Sequence, residues 1–418
     1  MKKLLTILLS LMMIFTLAAC NKSGGESANE GGEQGGSEAP QTIKIGVATQ
    51  FEGDQWVPQK DYYEKELGPA LNIEFMISER IQDANGLVDF IDQAYAAECQ
   101  GIINYLTQPE PVQMGARKCE EYGMFFVTQN SKVTDEVATL EHNIGHCGAD
   151  PVKMGNAYKT LFKDLLADGP HSLLLYSCAA PGQMAASHYY SSLAILEAFQ
   201  EAYGLTFEKS LDEIVNNQEP GEYATGRDDV KIYVYPGLPN TEGLTDGVQT
   251  VLQSGDYDIF AACANFAAFS TGIDAVEKAL NKDIKVVGTV GLDEATQGGF
   301  STKDSFGNPV LNAGMINPLN PANAINTAEL VNGILGAGAQ MKDNGKAVLV
   351  GVAPFICKDI DTYNKIANLD RSSGLYILSG EDVKALTVLG NPSVTWKDID
   401  NKLNQIADIE YVLKSRGQ

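Results

Sequence analysis

Short apolar runs alternate with amphipathic stretches along the first part of this chain. Residues 43–48 form an apolar run of strand length, and residues 62–71 carry apolar side chains at helical spacing. The pattern then predicts strands at residues 73–77, 101–104 and 125–128, and helices at residues 87–99 and 112–122. Strict alternation of strands and helices is typical of a parallel, doubly wound sheet with helices on both faces.

The alternation starts again after residue 150. Here the sequence predicts strands at residues 172–176, 231–235, 258–262 and 284–288, and helices at residues 151–166, 185–203, 244–254 and 271–280. Nearly 380 residues follow residue 41, which is too many for one compact core. The expected fold is therefore an α/β protein with two doubly wound parallel-sheet lobes.

The first 19 residues have the pattern of a cleaved export signal. Lys2 and Lys3 precede an apolar stretch that is shorter than the roughly 20 residues that cross a bilayer as a helix. Residues 17–20 (LAAC) resemble the lipobox of bacterial lipoproteins. That resemblance implies that Cys20 is lipidated and anchors the protein to the outer face of the cell membrane; ordinary secretion is the alternative.

Residues 20–41 are predicted to be a flexible tether. Residues 21–40 contain six glycines and four glutamates, and they have no aromatic or β-branched residue. Such a segment cannot bury enough apolar surface to fold.

The charge of the chain limits its partners. Removal of Lys2 and Lys3 with the signal changes the formal charge from -24 to -26. A surface this acidic repels phosphate backbones and anionic headgroups, so we expect no nucleic-acid partner and no membrane attachment besides the lipid. We expect the protein to be a monomer.

Six cysteines remain after Cys20, and no two of them have CxxC spacing. Zinc binding and thioredoxin-like chemistry therefore have no support. For these six cysteines, pairing in disulfides and burial as free thiols are both open alternatives.

A series of landmarks in a fixed order resembles the type I periplasmic binding proteins, the ribose- and galactose-binding group that serves sugar ABC transporters. Residues 121–127 (EYGMFFV) resemble the family's "AGIPVV", residues 260–265 (FAACAN) its "FAAND", and residues 285–288 (KVVG) with Asp293 its "VVGFD". The resemblance covers about residues 43–375. It implies two lobes around a ligand cleft and a chain that crosses between them three times.

The resemblance also sets the expected domain boundaries. The crossings are expected near His146, Asn317 and Lys346. Lobe one is then residues 42–146 and 317–345, and lobe two is residues 147–316 and 346–390. Residues 391–418 form a C-terminal helical extension, and residues 208–229 look like an inserted polar loop.

Ligand contacts are expected just after the strands, because ligands of such sheets bind beyond the carboxyl ends of the strands. Aromatic rings suit the apolar faces of a sugar, and amides and carboxylates suit its hydroxyl groups. For the asparagines and Asp150, turn or helix capping is the alternative role. The candidates are Phe51, Asp54, Gln55, Trp56, Asn104, Asn130, Asp150, Tyr189, Asn265, Asp293 and Asn317.

One departure from the family concerns the helix near residue 187. The family has an arginine at the start of this helix, whereas this chain has Ser187, His188, Tyr189 and Tyr190 there. None of these side chains matches a bidentate guanidinium. A ligand that needs more aromatic surface in its site, such as a disaccharide or a nucleoside, is therefore an alternative to a plain ribose or galactose.

No catalytic or cofactor motif accompanies these features. The sequence has no P-loop, nucleophile elbow or HExxH motif. His142, His146 and Cys147 lie close together, but the stretch is predicted to be a strand, so we expect no metal site and no cofactor.

The expected function is that of a solute-binding lipoprotein that captures a small solute, most readily a sugar, and delivers it to ABC permease subunits. The alternatives are a receptor that feeds a membrane kinase, a binder of nucleosides or autoinducers, and an exported hydrolase. The hydrolase would need a titratable pair with shifted pKa values in the cleft.

Overall fold

The computed structural model describes residues 42–53, 56–131, 133–179, 186–239, 241–371 and 375–417. The predicted export signal, the predicted tether with Cys20, and the candidates Asp54 and Gln55 lie outside the described residues. Within the described part of the chain, no helix is long and apolar enough to cross a bilayer.

The first lobe is built on a six-stranded, fully parallel sheet. Its strands are β1 (Ile43–Ala48), β2 (Ile73–Ile77), β3 (Gly101–Asn104), β4 (Phe125–Gln129), β5 (Asn143–Ala149) and β14 (Leu349–Val352). Their order across the sheet is β14-β5-β4-β3-β1-β2. In this register Val47 lies opposite Ile77 and Ile103.

The second lobe is built on a seven-stranded sheet with a parallel centre. Its strands are β6 (Leu173–Tyr176), β7 (Gly221–Tyr223), β8 (Ile232–Tyr235), β9 (Ile259–Ala262), β10 (Lys285–Val290), β11 (Ala313–Ile316) and β15 (Phe355–Cys357). Their order is β15-β11-β10-β9-β6-β8-β7, and the edge strands β15 and β7 are antiparallel to their neighbours. A two-stranded hairpin, β12 (Lys342–Asp343) and β13 (Lys346–Ala347), stands apart from both sheets.

Helices cover both sheets. On the first lobe, α1 runs through Val57–Asp61, a π-helical segment Tyr62–Leu67 and Gly68–Leu71, followed by α2 (Ala84–Ala96), α3 (Pro109–Tyr122) and α4 (Asp135–Ala138). The second lobe carries α5 (Pro151–Leu165), α6 (Ala186–Tyr203), α7 (Leu211–Val215), α8 (Leu244–Leu252), α9 (Ala267–Leu280) and α10 (Glu294–Ser301). The later helices are α11 (Leu319–Asn332), which continues through Gly333–Ala337 and Gly338–Met341, α12 (Ile360–Arg371), α13 (Gly380–Ala385), α14 (Trp396–Ile406) and α15 (Ile409–Ser415).

Helix α2 shows how the sequence pattern becomes structure. Asp83 caps its start by accepting a hydrogen bond from the Gly86 backbone N–H. Leu87, Phe90 and Ala94 recur at helical spacing, and they are buried against the first sheet together with Ile102 of β3.

The sheets define where the chain passes between the lobes. The first passage follows β5, at Asp150, because α5 packs along α6 of the second lobe. The second lies at Asn317 and Pro318, between β11 and α11, and the third at Ala353 and Pro354, between β14 and β15. The sequence places these passages near His146, Asn317 and Lys346; the third lies later because β14 pairs with β5 of the first lobe.

The C-terminal residues pack on the first lobe. Helix α12 contacts α10 of the second lobe, where the Tyr363 hydroxyl donates to the Asp293 carbonyl. Beyond it, α13 packs against α1 and α11, and α14 packs against β14. The structure thus places residues 375–390 with the first lobe, whereas the sequence assigns them to the second. Residues 391–418 are expected to form a helical extension, and α14 and α15 lie within that stretch.

Candidate functional site

Loops at the carboxyl ends of strands from both sheets meet at one cleft. The cleft has a volume of about 350 Å³, within the size range of small-molecule sites. It is lined by Phe51, Gln59, Ser187, His188, Cys263, Ala264, Asn265, Thr289, Val290, Gly291, Leu292, Asp293, Asn317, Leu319 and Asp370.

The first lobe contributes an aromatic ring and an amide to the cleft. Phe51 follows β1, and its backbone N–H donates to the Thr49 hydroxyl at 3.0 Å. The Phe51 ring packs edge-on against Tyr105, with ring centroids 6.0 Å apart. The Gln59 side chain is buried and accepts a hydrogen bond from the Asn323 amide at 2.6 Å. Both groups are therefore held by the core of the first lobe.

The second lobe contributes most of the polar lining. Asn265 follows β9 with a left-handed φ of 47°, which asparagine tolerates better than most residues, and its side chain is exposed. Thr289 of β10 is fixed in the floor, because its hydroxyl donates to Ser191 at 2.9 Å and also bonds Tyr158. Asp293 lies at the end of the loop that follows β10.

Asp293 and Asp370 supply the carboxylates of the cleft. One oxygen of Asp293 accepts from the Thr296 backbone N–H at 2.8 Å and so caps α10. Asp370, at the end of α12, accepts from the Asn320 backbone N–H at 3.1 Å and lies 3.5 Å from the Gln59 amide nitrogen. Asp370 thus ties α12 to the first lobe at the edge of the cleft.

Ser187 and His188, in the first turn of α6, occupy the position where the family resemblance implies an arginine. Burial lowers the pKa of His188 to about 4, so the imidazole is neutral at pH 7. Among the described residues that line the cleft there is no arginine or lysine. Neutral and acidic groups therefore make up this lining.

Four of the residues predicted from the sequence line the cleft together: Phe51, Asn265, Asp293 and Asn317. Asn317 lies on the second passage between the lobes, directly after β11. These four follow three different strands of the second sheet and one strand of the first. Their convergence is what the strand-end rule predicts.

The other candidates among the described residues contact or hydrogen-bond groups of the protein itself. Trp56 is buried and packs edge-on against Tyr105, with ring centroids 5.0 Å apart. Asn104 is buried and donates to Thr128 and to the Leu106 carbonyl.

The remaining three candidates also bond within the protein. Asn130 has a left-handed φ of 52° and accepts from the Ala149 backbone N–H. Asp150 caps α5 by accepting from the backbone N–H groups of Val152 and Lys153, and the Tyr189 hydroxyl donates to Asp212. For Asn104, Asn130 and Asp150, the structure shows the capping and turn roles that were the alternatives to ligand contact.

Gln59, Thr289 and Asp370 line the cleft but are not among the residues predicted from the sequence. Thr289 lies inside a strand, and Gln59 lies in the first turns of a helix. Asp370 and Gln59 are 311 residues apart in sequence. In the sequence, only the position of Gln59 soon after the first strand could have indicated that it lines the cleft. No neighbouring motif indicates this for Asp370.

Two groups of residues with metal-ligating side chains lie elsewhere, and within the described residues only the second brings three ligand atoms together. The His142 Nδ1–H donates to the Glu120 carboxylate at 3.1 Å, and His146 and Cys147 lie in β5. Ligand atoms of Glu277, Asp283 and Asp304 lie within 4.8 Å of one another at the opposite end of the second sheet.

All three acidic residues of that second group accept hydrogen bonds from nearby groups, and Asp304 accepts from the backbone N–H groups of Phe306 and Asn308. Glu277 accepts from the Ile284 backbone N–H, and Asp283 accepts from the Asn308 amide. Burial raises the pKa of Glu277 to about 7. These carboxylates join the ends of α9 and β10 and take no part in the cleft.

Comparison with known proteins identifies the fold. No protein-family model and no curated protein matches the sequence. An ABC transporter periplasmic solute-binding protein from Actinobacillus succinogenes, solved with bound D-allose, is 13% identical with a TM-score of 0.55, covering 77% of this chain and 99% of that chain. An arabinose-binding protein from Geobacillus stearothermophilus is 14% identical with a TM-score of 0.55, covering 78% and 99%.

A third match is an ABC transporter solute-binding protein from Burkholderia graminis, in complex with D-arabinose. It is 10% identical with a TM-score of 0.54, covering 78% of this chain and 98% of that chain. Identities this low show the fold alone. This chain has the type I periplasmic binding protein fold, with two parallel-sheet α/β lobes, and the fold predicted from the sequence is confirmed. The matched proteins are solute-binding proteins, not enzymes.

Proposed function

We propose that this chain is the solute-binding component of an ABC importer and that its ligand is a sugar or a similar polyhydroxylated solute. The observation that supports this most is the shared cleft. Phe51 of one lobe faces a lining of amides, hydroxyls and carboxylates that comes mainly from the other lobe. A sugar has apolar C–H faces that pack on an aromatic ring, and its rim of hydroxyls forms hydrogen bonds with amides, hydroxyls and carboxylates.

The two-lobe arrangement supports a capture mechanism. A ligand that touches both lobes stabilises only the conformation in which they are close, so binding and closure are one event. We propose that the closed form is then recognised by the permease. The solved structures with D-allose and D-arabinose support the sugar class.

The export signal and Cys20 support a place outside the cytoplasm. In this proposal the lipid on Cys20 holds the protein at the outer face of the membrane, and residues 21–41 let the lobes reach the permease. Replacement of Cys20 by serine, followed by cell fractionation, tests the anchor: the wild type should sediment with membranes and C20S should not.

A thermal-shift screen of the chain without residues 1–20 tests the binding function. A ligand at a hundredfold its Kd stabilises the folded state by about 2.7 kcal/mol, which raises Tm measurably. We expect at least one pentose, hexose or disaccharide to raise Tm and, in small-angle X-ray scattering, to reduce the radius of gyration. If no sugar does either, the proposal fails.

A further inference from the structure

Helix α12 gives the chain a fourth passage between the lobes. The family resemblance implies three passages, and the described chain makes them after β5, after β11 and after β14. After the third passage, β15 and the start of α12 belong to the second lobe, whereas the described chain from residue 375 onward lies on the first lobe. Helix α12, whose 12 residues rise roughly 18 Å along its axis, therefore bridges both lobes.

The first half of α12 is fixed to the second lobe. The Tyr363 hydroxyl donates to the Asp293 backbone carbonyl at 2.7 Å, and the Tyr363 ring packs on Phe300 of α10 with ring centroids 6.1 Å apart. One turn of α10 earlier, the Gln297 amide donates to the Asn364 side-chain oxygen at 3.4 Å. These contacts hold the start of α12 against α10.

The last turn of α12 is fixed to the first lobe. The Asp370 carboxylate accepts from the Asn320 backbone N–H at 3.1 Å, in the first turn of α11, where a helix leaves its N–H groups without intrahelical partners. Its other oxygen lies 3.5 Å from the Gln59 amide nitrogen of α1. The Leu369 carbonyl accepts from the Ile377 backbone N–H at 2.9 Å.

The chain beyond α12 is itself bound to the first lobe. The Tyr62 hydroxyl of α1 donates to the Leu378 carbonyl at 2.6 Å, and its ring packs on Tyr376 with ring centroids 4.6 Å apart. The Gly380 backbone N–H donates to the Glu66 carboxylate at 2.6 Å. This segment therefore stays with the first lobe when the second lobe moves.

A helix that is held by a different lobe at each end restricts their separation. Opening of a two-lobe protein rotates one lobe away from the other about the passages. An intact helix keeps its length, because its backbone hydrogen bonds set the rise per residue. Wide opening therefore requires that one end of α12 detaches from its lobe.

We propose that α12 is a strap that limits how far the two lobes separate in the ligand-free protein. The strap runs beside the cleft, since Asp293 at one end of it and Asp370 at the other both line the cleft. A solute then enters a cleft that is only partly open, and closure needs only a small rotation. The inference concerns the empty protein and does not depend on which solute binds.

The distance between two spin labels, measured by double electron–electron resonance on the ligand-free chain without residues 1–20, tests the strap. Glu110→Cys and Thr245→Cys place one label on each lobe. Both residues are exposed, and each lies in the first turn of a helix that follows a strand, at the cleft end of its lobe. The six native cysteines of the described chain are buried, so the label reacts with the introduced thiols.

Two sets of substitutions release one end of the strap each. Tyr363→Phe with Asn364→Ala releases the second-lobe end, and Asp370→Ala releases the first-lobe end. We expect each to lengthen the mean distance by about 5 Å and to broaden its distribution. All three changes together should add nothing further, because a strap released at one end no longer restrains the lobes. Asn368→Ala, at an exposed position of α12, is the control and should keep the wild-type distribution.

Circular dichroism and Tm establish that each variant folds. If D370A does not, the test rests on Y363F/N364A, which removes one hydroxyl and one exposed side chain. Unchanged distances in the folded variants would overturn the strap, and so would a wider opening in the combined variant than in either set alone. Sugar binding is measured separately by the thermal-shift screen, so the proposed function stands or fails independently of this result.

Discussion

Glu329 lies in the middle of the buried helix α11, and its carboxyl group packs over Gly145 of β5. Within the described chain, neither carboxylate oxygen has a hydrogen-bond partner. Burial therefore raises the pKa of Glu329 well above its ordinary value of 4.5, which favours the neutral acid in the folded protein. Gly145 leaves the space that this carboxyl group fills, since a Cβ at that position would overlap it.

This protonation makes the stability of the protein depend on pH. In the unfolded chain Glu329 ionises near its ordinary pKa, so its contribution to stability is complete below about pH 4.5 and is lost as the pH rises. Compared with Glu329→Gln, the wild type should lose about 1.4 kcal/mol of unfolding free energy per pH unit above that point, until the raised pKa is reached.

Urea unfolding of both proteins between about pH 5 and pH 8 measures this difference. Glu208→Gln, at an exposed position, serves as the control. Its unfolding free energy should change with pH in the same way as that of the wild type. If the unfolding free energies of E329Q and the wild type changed in parallel with pH, Glu329 would be ionised in the folded protein.

At the scale of elements, Asp382 of α13 joins the C-terminal helices to one another. Its carboxylate accepts from Lys402 of α14 at 2.9 Å, from the Ser379 hydroxyl at 2.7 Å, and from Arg416 beyond α15. Burial raises the pKa of Asp382, but these hydrogen bonds outweigh burial and hold the pKa below its usual range. One carboxylate thus connects three segments of the C-terminal region.

Asp382→Asn should loosen these helices. The amide cannot replace a carboxylate that is shared by two cations, and we expect a loss of about 2 kcal/mol of unfolding free energy at pH 7. Urea unfolding measures the loss, and limited proteolysis should cut D382N first within residues 386–418. Asp61→Asn breaks the exposed Asp61–Lys65 pair and should change stability by less than about 0.5 kcal/mol. A D382N variant as stable as D61N would contradict this account.

At the scale of the whole molecule, ligand capture depends on contacts from both lobes. Phe51 belongs to the first lobe and Asn265 to the second. We expect Phe51→Ala and Asn265→Gly each to weaken binding of whichever sugar scores in the thermal-shift screen by at least tenfold, or about 1.4 kcal/mol. Glycine is used at position 265 because it accepts the left-handed φ without strain.

Isothermal titration gives the affinities, and Tyr95→Ala is the matched control. Tyr95 is an exposed aromatic side chain stacked on Tyr122 at the other end of the first sheet, away from the cleft. Its loss should leave the affinity unchanged. If only one of F51A and N265G weakens binding, the ligand is held by a single lobe and capture by closure is excluded.

The sequence by itself determined the central strands of both sheets, most of the helices between them and the two-lobe architecture. Periods of two and 3.6 residues are local properties, and the alternation of β and α segments leaves few topologies open. The predicted strand at residues 101–104 and the predicted helix ending at Tyr122 agree with β3 and α3. The edge strand β7 was not predicted: it lies in the stretch expected to be an inserted polar loop, and its three residues are too few to show a period.

Only the tertiary structure decided which strand-end residues face the cleft and where the lobes divide. A polar residue after a strand can point toward a ligand, as Asn265 does, or satisfy a nearby backbone group, as Asn130 does with Ala149. The choice depends on partners far away in the chain, such as those that bring Asp370 to Gln59. Periodicity carries no information about such long-range contacts, because side-chain direction at a loop is set by what the rest of the fold places beside it.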